Sequence, residues 1–341
     1  MGLFTYILRR LFLAIPMLFG ITLVTFLVSH VVPANPLNVV ISDQAMENPE
    51  IVRAFTKKWG LDKPLPEQYV IYLWRLLQGD MGVSFTSRRP VSQDLAQYLP
   101  ATIELTIGSM IFAVLLGVPL GVLAALRSNT MIDHIARLIS LLGASMPPFW
   151  SGLVALYFLY FRVPLFPGPG RLSTEISPPP TFTGLYTADM LLIGNLPGFL
   201  DALRHLLLPS IILGGYTLGI IARMTRSSLL EVLRMDYVRT ARAKGLRERR
   251  VIFIHALRNA LIPTVTVIGL AFASLLAGAI MTETVFSWPG VGRYVVHASA
   301  TLDYPAILGV TLMIAVVYIL ANLAVDVLYG VLDPRIREGG V

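Results

Sequence analysis

The chain has 341 residues, 55% of them hydrophobic and 14% charged, with a mean hydropathy of +0.70. Soluble domains carry about 45–50% apolar and about 25% charged residues, so this is an integral membrane protein. It contains no cysteine, which excludes disulfides, thiolate nucleophiles and Cys-ligated metals, and its net charge of +7 sits beside apolar runs without the aromatic interleaving of a nucleic-acid groove, so it follows the positive-inside rule instead.

A hydrocarbon core about 30 Å thick needs about 20 apolar residues per helix, and about six runs meet that length. The first, Leu11 to Val32, follows Arg9 and Arg10. It exceeds the roughly 7–15 apolar residues of a signal sequence and has only a poor cleavage site at Val32-Pro33-Ala34, so it is expected to be a retained anchor. From Pro33 to Pro100 basic and acidic residues balance. Within that segment Glu67 to Leu77 has aromatic and aliphatic residues at helical spacing, followed by Gly79-Asp80, and predicts a short amphipathic helix at the outer face. Tyr69, Tyr72 and Trp74 serve there either as an interfacial aromatic belt or as a docking surface.

The second run spans Thr102 to Leu126 and is followed by Arg127. The third, Ile135 to Phe161, contains Pro147-Pro148, which marks a kink. Arg162 to Asp201 is rich in Pro and Gly and predicts an irregular outer loop. The fourth run, His205 to Ile221, carries Gly214-Gly215 and Gly219, small residues suited to close helix packing. A basic stretch from Arg223 to Arg258 separates it from the fifth run, Leu261 to Thr282. The last, Ala306 to Tyr329, precedes Arg335 and Arg337. Lys and Arg therefore concentrate in alternate loops, which places both termini and the Arg223–Arg258 stretch in the cytoplasm.

In that stretch Asp236 to Lys244 has good helix formers, and Gly245 suits the left-handed turn that ends a helix. Beyond it, Val251, Ile252, Ile254 and Leu257 are expected on one apolar side, with Arg247, Arg249, Arg250 and Arg258 on a charged one. This helix-turn-helix either enters a groove on a partner or lies against anionic headgroups. Among charges near the membrane, Glu104 and Glu283 fall at outer helix ends and Asp326 near an inner one; Thr282, Glu283 and Trp288 are the candidates for an outer gate.

No Gly-x-x-x-x-Gly-Lys-[Ser/Thr] loop is present, so any ATP must be hydrolysed by another chain. His30, His134, His205, His255 and His297 lack ligand spacing, and no metal or catalytic centre is expected. An ion-coupled secondary transporter would need buried ionisable groups near the midplane, and a membrane hydrolase a nucleophile with its base; neither pattern occurs.

The string Tyr237-Val238-Arg239-Thr240-Ala241-Arg242-Ala243-Lys244-Gly245-Leu246, followed by His255-Ala256-Leu257-Arg258-Asn259-Ala260, resembles the cytoplasmic coupling loop of ABC-importer permeases. More narrowly, it resembles the first of the two permeases of dipeptide, oligopeptide and nickel importers. Ala241, Gly245 and Leu257 keep the general consensus of that loop, while Arg239, Thr240, His255 and Arg258 replace its Glu, first Ala, Ile and Pro. Tyr6-Ile7-Leu8-Arg9-Arg10, Gly60 to Tyr69, Gly79 to Phe85, Glu283 to Arg293 and Asp333-Pro334-Arg335 extend the resemblance over nearly the whole chain.

The resemblance implies an all-α polytopic fold of the type I importer kind. Residues 1–100 would form an anchor helix and extracytoplasmic segment, 101–335 a permease core with a coupling loop at 226–258, and 336–341 a tail. It implies a non-catalytic subunit in a bacterial inner membrane, paired with a related second permease, two ATP-binding subunits that hold ATP and Mg, and an extracytoplasmic binding protein. The cargo would be short peptides, with nickel or glutathione as alternatives. Arg239, Thr240, Ala241, Arg242, Lys244, Gly245, Leu246, His255, Leu257 and Arg258 would engage the ATPase.

Overall fold

The computed structural model describes residues 3–31, 49, 50, 53, 56 and 63–332. The expectations for residues 33–48, most of 51–62 and the tail 333–341, including Arg335 and Arg337, lie outside the described residues.

The described chain is helical. The anchor α1 (Leu3–Val31) is followed by α2 (Leu65–Leu77), and α3 (Val91–Leu126) runs from well outside the second apolar stretch to its inner end. Next come α4 (Met131–Ser145) and α5 (Pro148–Ala155), the latter continued by a π-helical segment to Arg162. A short α6 (Tyr186–Leu192) leads to the long α7 (Leu196–Val232) and then α8 (Asp236–Ala243). A single turn, α9 (Glu248–Arg250), passes through a π-helical segment, Val251–Ala256, into α10 (Leu257–Gly278). The chain then forms α11 (Ile280–Val285), α12 (Val291–Ala300) and α13 (Tyr304–Leu332). Among the described residues, 5 helices are long and apolar enough to cross a membrane, or up to 6 if α4 and α5 make one bent span.

That bend corrects the expectation of a single helix over the third run. Pro147 and Pro148 have no backbone N–H to continue the ladder, and the two halves meet at 100°. Pro148 instead begins a new helix, with the Trp150 and Ser151 amides bonded to the Pro147 carbonyl at 3.1 Å.

The core is the pairing of α3 with α7, which close packing of small residues permits. A Cβ added at Gly214 would stand 2.5 Å from the Ser109 carbonyl oxygen, so the two backbones touch there. Gly219 meets the Ser140 carbonyl of α4 in the same way. Leu105, Ala113 and Ile221 fill the middle of this core and are fully enclosed.

Helix α2 lies against α1 through its aromatics. The Tyr69 ring packs on Phe26 at 5.3 Å, its hydroxyl lies 3.0 Å from that of Thr22, and Tyr72 stacks on Phe26 at 5.8 Å. Trp74 remains 63% exposed, so of Tyr69, Tyr72 and Trp74 it is the one left open to an interface.

The Pro- and Gly-rich outer loop is more ordered than its composition suggests. Arg171 donates to the Glu104 carboxylate of α3 at 2.5 Å and to the Gly184 carbonyl at 2.9 Å, while its guanidinium lies 3.5 Å from the Tyr186 ring centroid. Thr187 adds amide and hydroxyl bonds to Glu104 at 2.8 and 2.7 Å. Both members of the ion pair are buried, at 6% and 4% exposure. A buried pair persists only with its remaining bonding capacity filled, and these contacts fill it.

Candidate functional site

At the inner end, α8 and the following turn stand on the ends of α3 and α7. Val238, Val251 and Ala256 are fully buried against Val122, Ala125 and Leu229, and Ala241 of the family-like string faces the same cluster at 8% exposure. Arg239, Thr240, Arg242, Lys244, Gly245 and Arg258 are exposed, whereas Leu246, His255 and Leu257 are partly buried. The element thus anchors itself by small apolar residues and presents a basic surface outward.

Its shape follows from the sequence. The α8 helix ends as Gly245 enters the left-handed region at φ +74, its amide closing on the Arg242 carbonyl at 2.9 Å. A side chain there would meet no atom within 4 Å, so only the backbone conformation demands glycine. Arg242 then closes the turn on Glu248 at 2.7 Å, and this bond holds the Glu248 carboxyl below the usual range. Across the base, Asn259 donates to the Tyr237 hydroxyl at 2.8 Å. Tyr237 and Asn259 lie inside the family-like strings, but their pairing cannot be read from spacing.

The apolar side expected for Val251, Ile252, Ile254 and Leu257 is not continuous. Val251 is buried while Ile254 is 56% exposed, together with Phe253 at 55%. Residues 251–256 are π-helical, and the wider turn rotates each side chain away from the register that a 3.6-residue period assigns. The outward face is consequently mixed, with Phe253 and Ile254 among arginines.

A second inner feature escaped the sequence pattern. Asp133 of α4 is completely buried and accepts a forked pair of bonds from Arg226 of α7 at 2.7 and 2.8 Å. The Asn129 amide adds 2.9 Å and Arg137 3.1 Å. Such bidentate pairing is geometrically specific, and it fastens the start of α4 to the helix that bears α8.

At the outer end, Thr282, Glu283 and Trp288 are all enclosed. Glu283 accepts from the Thr102 hydroxyl at 2.6 Å and the Arg293 amide at 3.0 Å. The Thr102 hydroxyl accepts in turn from the Val291 amide at 2.9 Å. Trp288 donates its indole N–H to the Ala101 carbonyl at 2.7 Å. Thr282 has no hydrogen-bond partner for its hydroxyl among the described residues. Glu283 and Trp288 therefore brace α3 against the α11–α12 turn, and Gly290 and Gly292 pack directly on the Glu283 carboxylate.

This arrangement accompanies a clear family signature. A family model described as "Binding-protein-dependent transport system inner membrane component" matches residues 117–338, and its N-terminal companion matches residues 3–106. A dipeptide transport system permease protein of Escherichia coli K12 is 47% identical over 98% of both chains. A di/tripeptide transport system permease protein of Pseudomonas aeruginosa is 46% identical, covering 98% of this chain and 99% of its own. An oligopeptide transport system permease protein of Bacillus subtilis is 36% identical over 97% and 99%. Among solved structures, an inward-facing methionine ABC transporter shares the fold, with TM-score 0.51, 16% identity and coverage of 70% of this chain and 96% of that one. Helix order, inner basic element and sequence agree: the chain is a multi-pass membrane protein belonging to the family of binding-protein-dependent transport system inner membrane components.

Proposed function

We propose that this chain is one of two permease subunits of an ATP-driven importer of short peptides, and that Asp236 to Arg258 docks on an ATPase partner. The observation that carries this reading is the division of that element into a buried apolar base and an exposed basic face around Gly245. A membrane segment gains little from holding so many unpaired cations rigidly in water, whereas a partner with an acidic groove gives them a function. The relatives named for dipeptide, di/tripeptide and oligopeptide transport support peptides as the cargo. The Asp133–Arg226 fork transmits displacement of the element to the bent α4–α5 pair. Glu283 and Trp288 hold the outer end of α3 in register with α11 and α12, with Thr282 enclosed beside them, so a gate there works by moving this brace as a unit.

In this reading ATP and Mg are held by two separate subunits, a related second permease supplies the other half of the pathway, and an extracytoplasmic binding protein delivers the peptide. The division into residues 1–100, 101–335 and 336–341 follows the same proposal. The test is purification of the full-length chain in mild detergent. A second permease and ATPases should copurify, and peptide uptake by the reconstituted complex should require ATP. A homodimer that transports without another permease, or uptake driven by an ion gradient alone, would refute it.

A further inference from the structure

Between α3, α4 and α7, near their inner ends, lies a groove of about 240 Å³. Its floor is apolar and smooth: Leu120, Gly121, Ala124, Ala136 and Ala222 line it, and Gly121 lies so close to α7 that a Cβ would stand 2.5 Å from the Ala222 carbonyl oxygen. The wall hydroxyl of Ser140 is already spent on the Ala136 carbonyl at 2.8 Å. Arg137, Arg223 and Arg226 stand along the same groove. Two of these guanidiniums, from Arg226 and Arg137, meet one carboxylate, Asp133, and the third, Arg223, lines the same groove. Arg226 gives both of its contacts to Asp133, and Arg137 reaches it with one nitrogen at 3.1 Å while remaining 47% exposed. Arg223 is exposed and has no hydrogen-bond or ion-pair partner among the described residues.

We propose that this groove holds an anionic phospholipid of the inner leaflet, its phosphate between Arg137 and Arg223 and an acyl chain along the Leu120–Ala124 face. The assignment rests on the cytoplasmic placement of the α3–α4 turn, and otherwise stands apart from the transport reading. Charge complementarity selects an anion, because uncompensated cations at the membrane surface attract acidic lipid headgroups. The apolar floor selects a ligand with a hydrocarbon tail, which a free phosphate lacks. A peptide fits poorly, since no carboxylate among the described residues lines the groove and neighbouring Asp133 is already saturated by Arg226, Arg137 and the Asn129 amide. Bound lipid at this point would touch α7 just before the element that carries Gly245, so leaflet composition would reach the inner docking surface through Arg223.

The test is native mass spectrometry of the full-length chain, purified with its associated subunits and titrated with phosphatidylglycerol or phosphatidylcholine of identical chains. The wild type should retain phosphatidylglycerol preferentially. Each of Arg137→Gln and Arg223→Gln should lower that preference about five-fold. Leu141→Trp, which fills the rim of the groove from an exposed position, should reduce retention of both lipids. Arg226 is left intact because its loss would strand buried Asp133. Equal retention of the two lipids, or a preference unchanged by both arginine variants, overturns the proposal. So does displacement of the lipid by millimolar inorganic phosphate alone, which would reduce the site to a simple anion contact. Cross-linking of Leu141→Cys to a second permease in the same preparation would assign the groove to a subunit interface and likewise overturn it.

Discussion

The two ends of this molecule handle charge in opposite ways. Outside, Glu104, Arg171, Asp189 and Glu283 are buried and consumed by internal partners. Inside, the cations of Asp236 to Arg258 stand in water; Arg242 is closed in a carboxylate fork with Glu248, and Arg239 meets Asp236 in an exposed contact at 3.4 Å. Breaking an enclosed outer pair should therefore damage the fold, whereas altering the inner surface should damage only what docks there. The inner exception among the described residues, buried Asp133 with Arg226, ties α4 to α7.

The comparison depends first on which end faces which compartment, and that difference should be all or none. Because the chain has no cysteine, single cysteines report position directly. Arg249→Cys and Arg127→Cys should resist an impermeant thiol reagent on intact cells, while Trp74→Cys and Ser173→Cys should react. Labelling at 249 without labelling at 74 would invert the assignment of the two ends.

Next in size is the outer ion pair. Glu104→Ala strands a buried guanidinium, and removing one partner of such a pair costs about 3–5 kcal/mol. Loss of thermal stability and of the ordered outer loop is the expected outcome, measured by melting in detergent and by proteolysis between 163 and 195. The double change Glu104→Leu with Arg171→Met should recover much of the loss, because an apolar replacement removes both desolvated charges. If Glu104→Ala melts like the wild type, the outer network is not holding the loop.

Gly245→Val should act through the inner surface instead. A β-carbon in the left-handed region costs about 1–2 kcal/mol, and the open surroundings of Gly245 add no clash. The chain should still insert and assemble, while peptide-stimulated ATP hydrolysis and uptake fall. Gly245→Asn, which tolerates this conformation better, should retain more activity than Val. Full transport by an assembled Gly245→Val complex would remove the turn from the coupling role.

The sequence made legible what depends on local periodicity and single conformational demands. Apolar length located the spanning helices, Gly245 its turn, and Gly214 and Gly219 the close packing of α7 on its neighbours. Pro147-Pro148 signals the bend, but nothing in a residue pattern gives its 100° angle. What stayed hidden are contacts between distant positions. Arg171 with Glu104, and Arg226 with Asp133, each join segments separated by whole helices, and a lone charge in an apolar run does not announce its partner. The mixed face of 251–256 is hidden for a different reason: its π-helical turn breaks the 3.6-residue period.

The smallest expected effect lies in the turn itself, where Arg242 and Glu248 meet in solvent. Their side chains are 41% and 55% exposed, so screening leaves the pair a weak contribution to global stability. Its influence should nevertheless be visible locally as a function of pH. The Arg242 hydrogen bonds lower the folded-state pKa of Glu248 from its ordinary 4.5. For a carboxylate lowered in this way, the stabilisation is present above 4.5 and is lost as pH falls through the lower folded value. Hydrogen exchange at the Gly245 and Leu246 amides, corrected for intrinsic rates, should therefore quicken only on the acid side of that value. Glu248→Gln should show the faster exchange already at neutral pH, with no acid transition and with unchanged melting of the whole chain. Wild-type protection in Glu248→Gln would mean that Gly245 alone holds the turn, leaving the Arg242 guanidinium free to meet a partner.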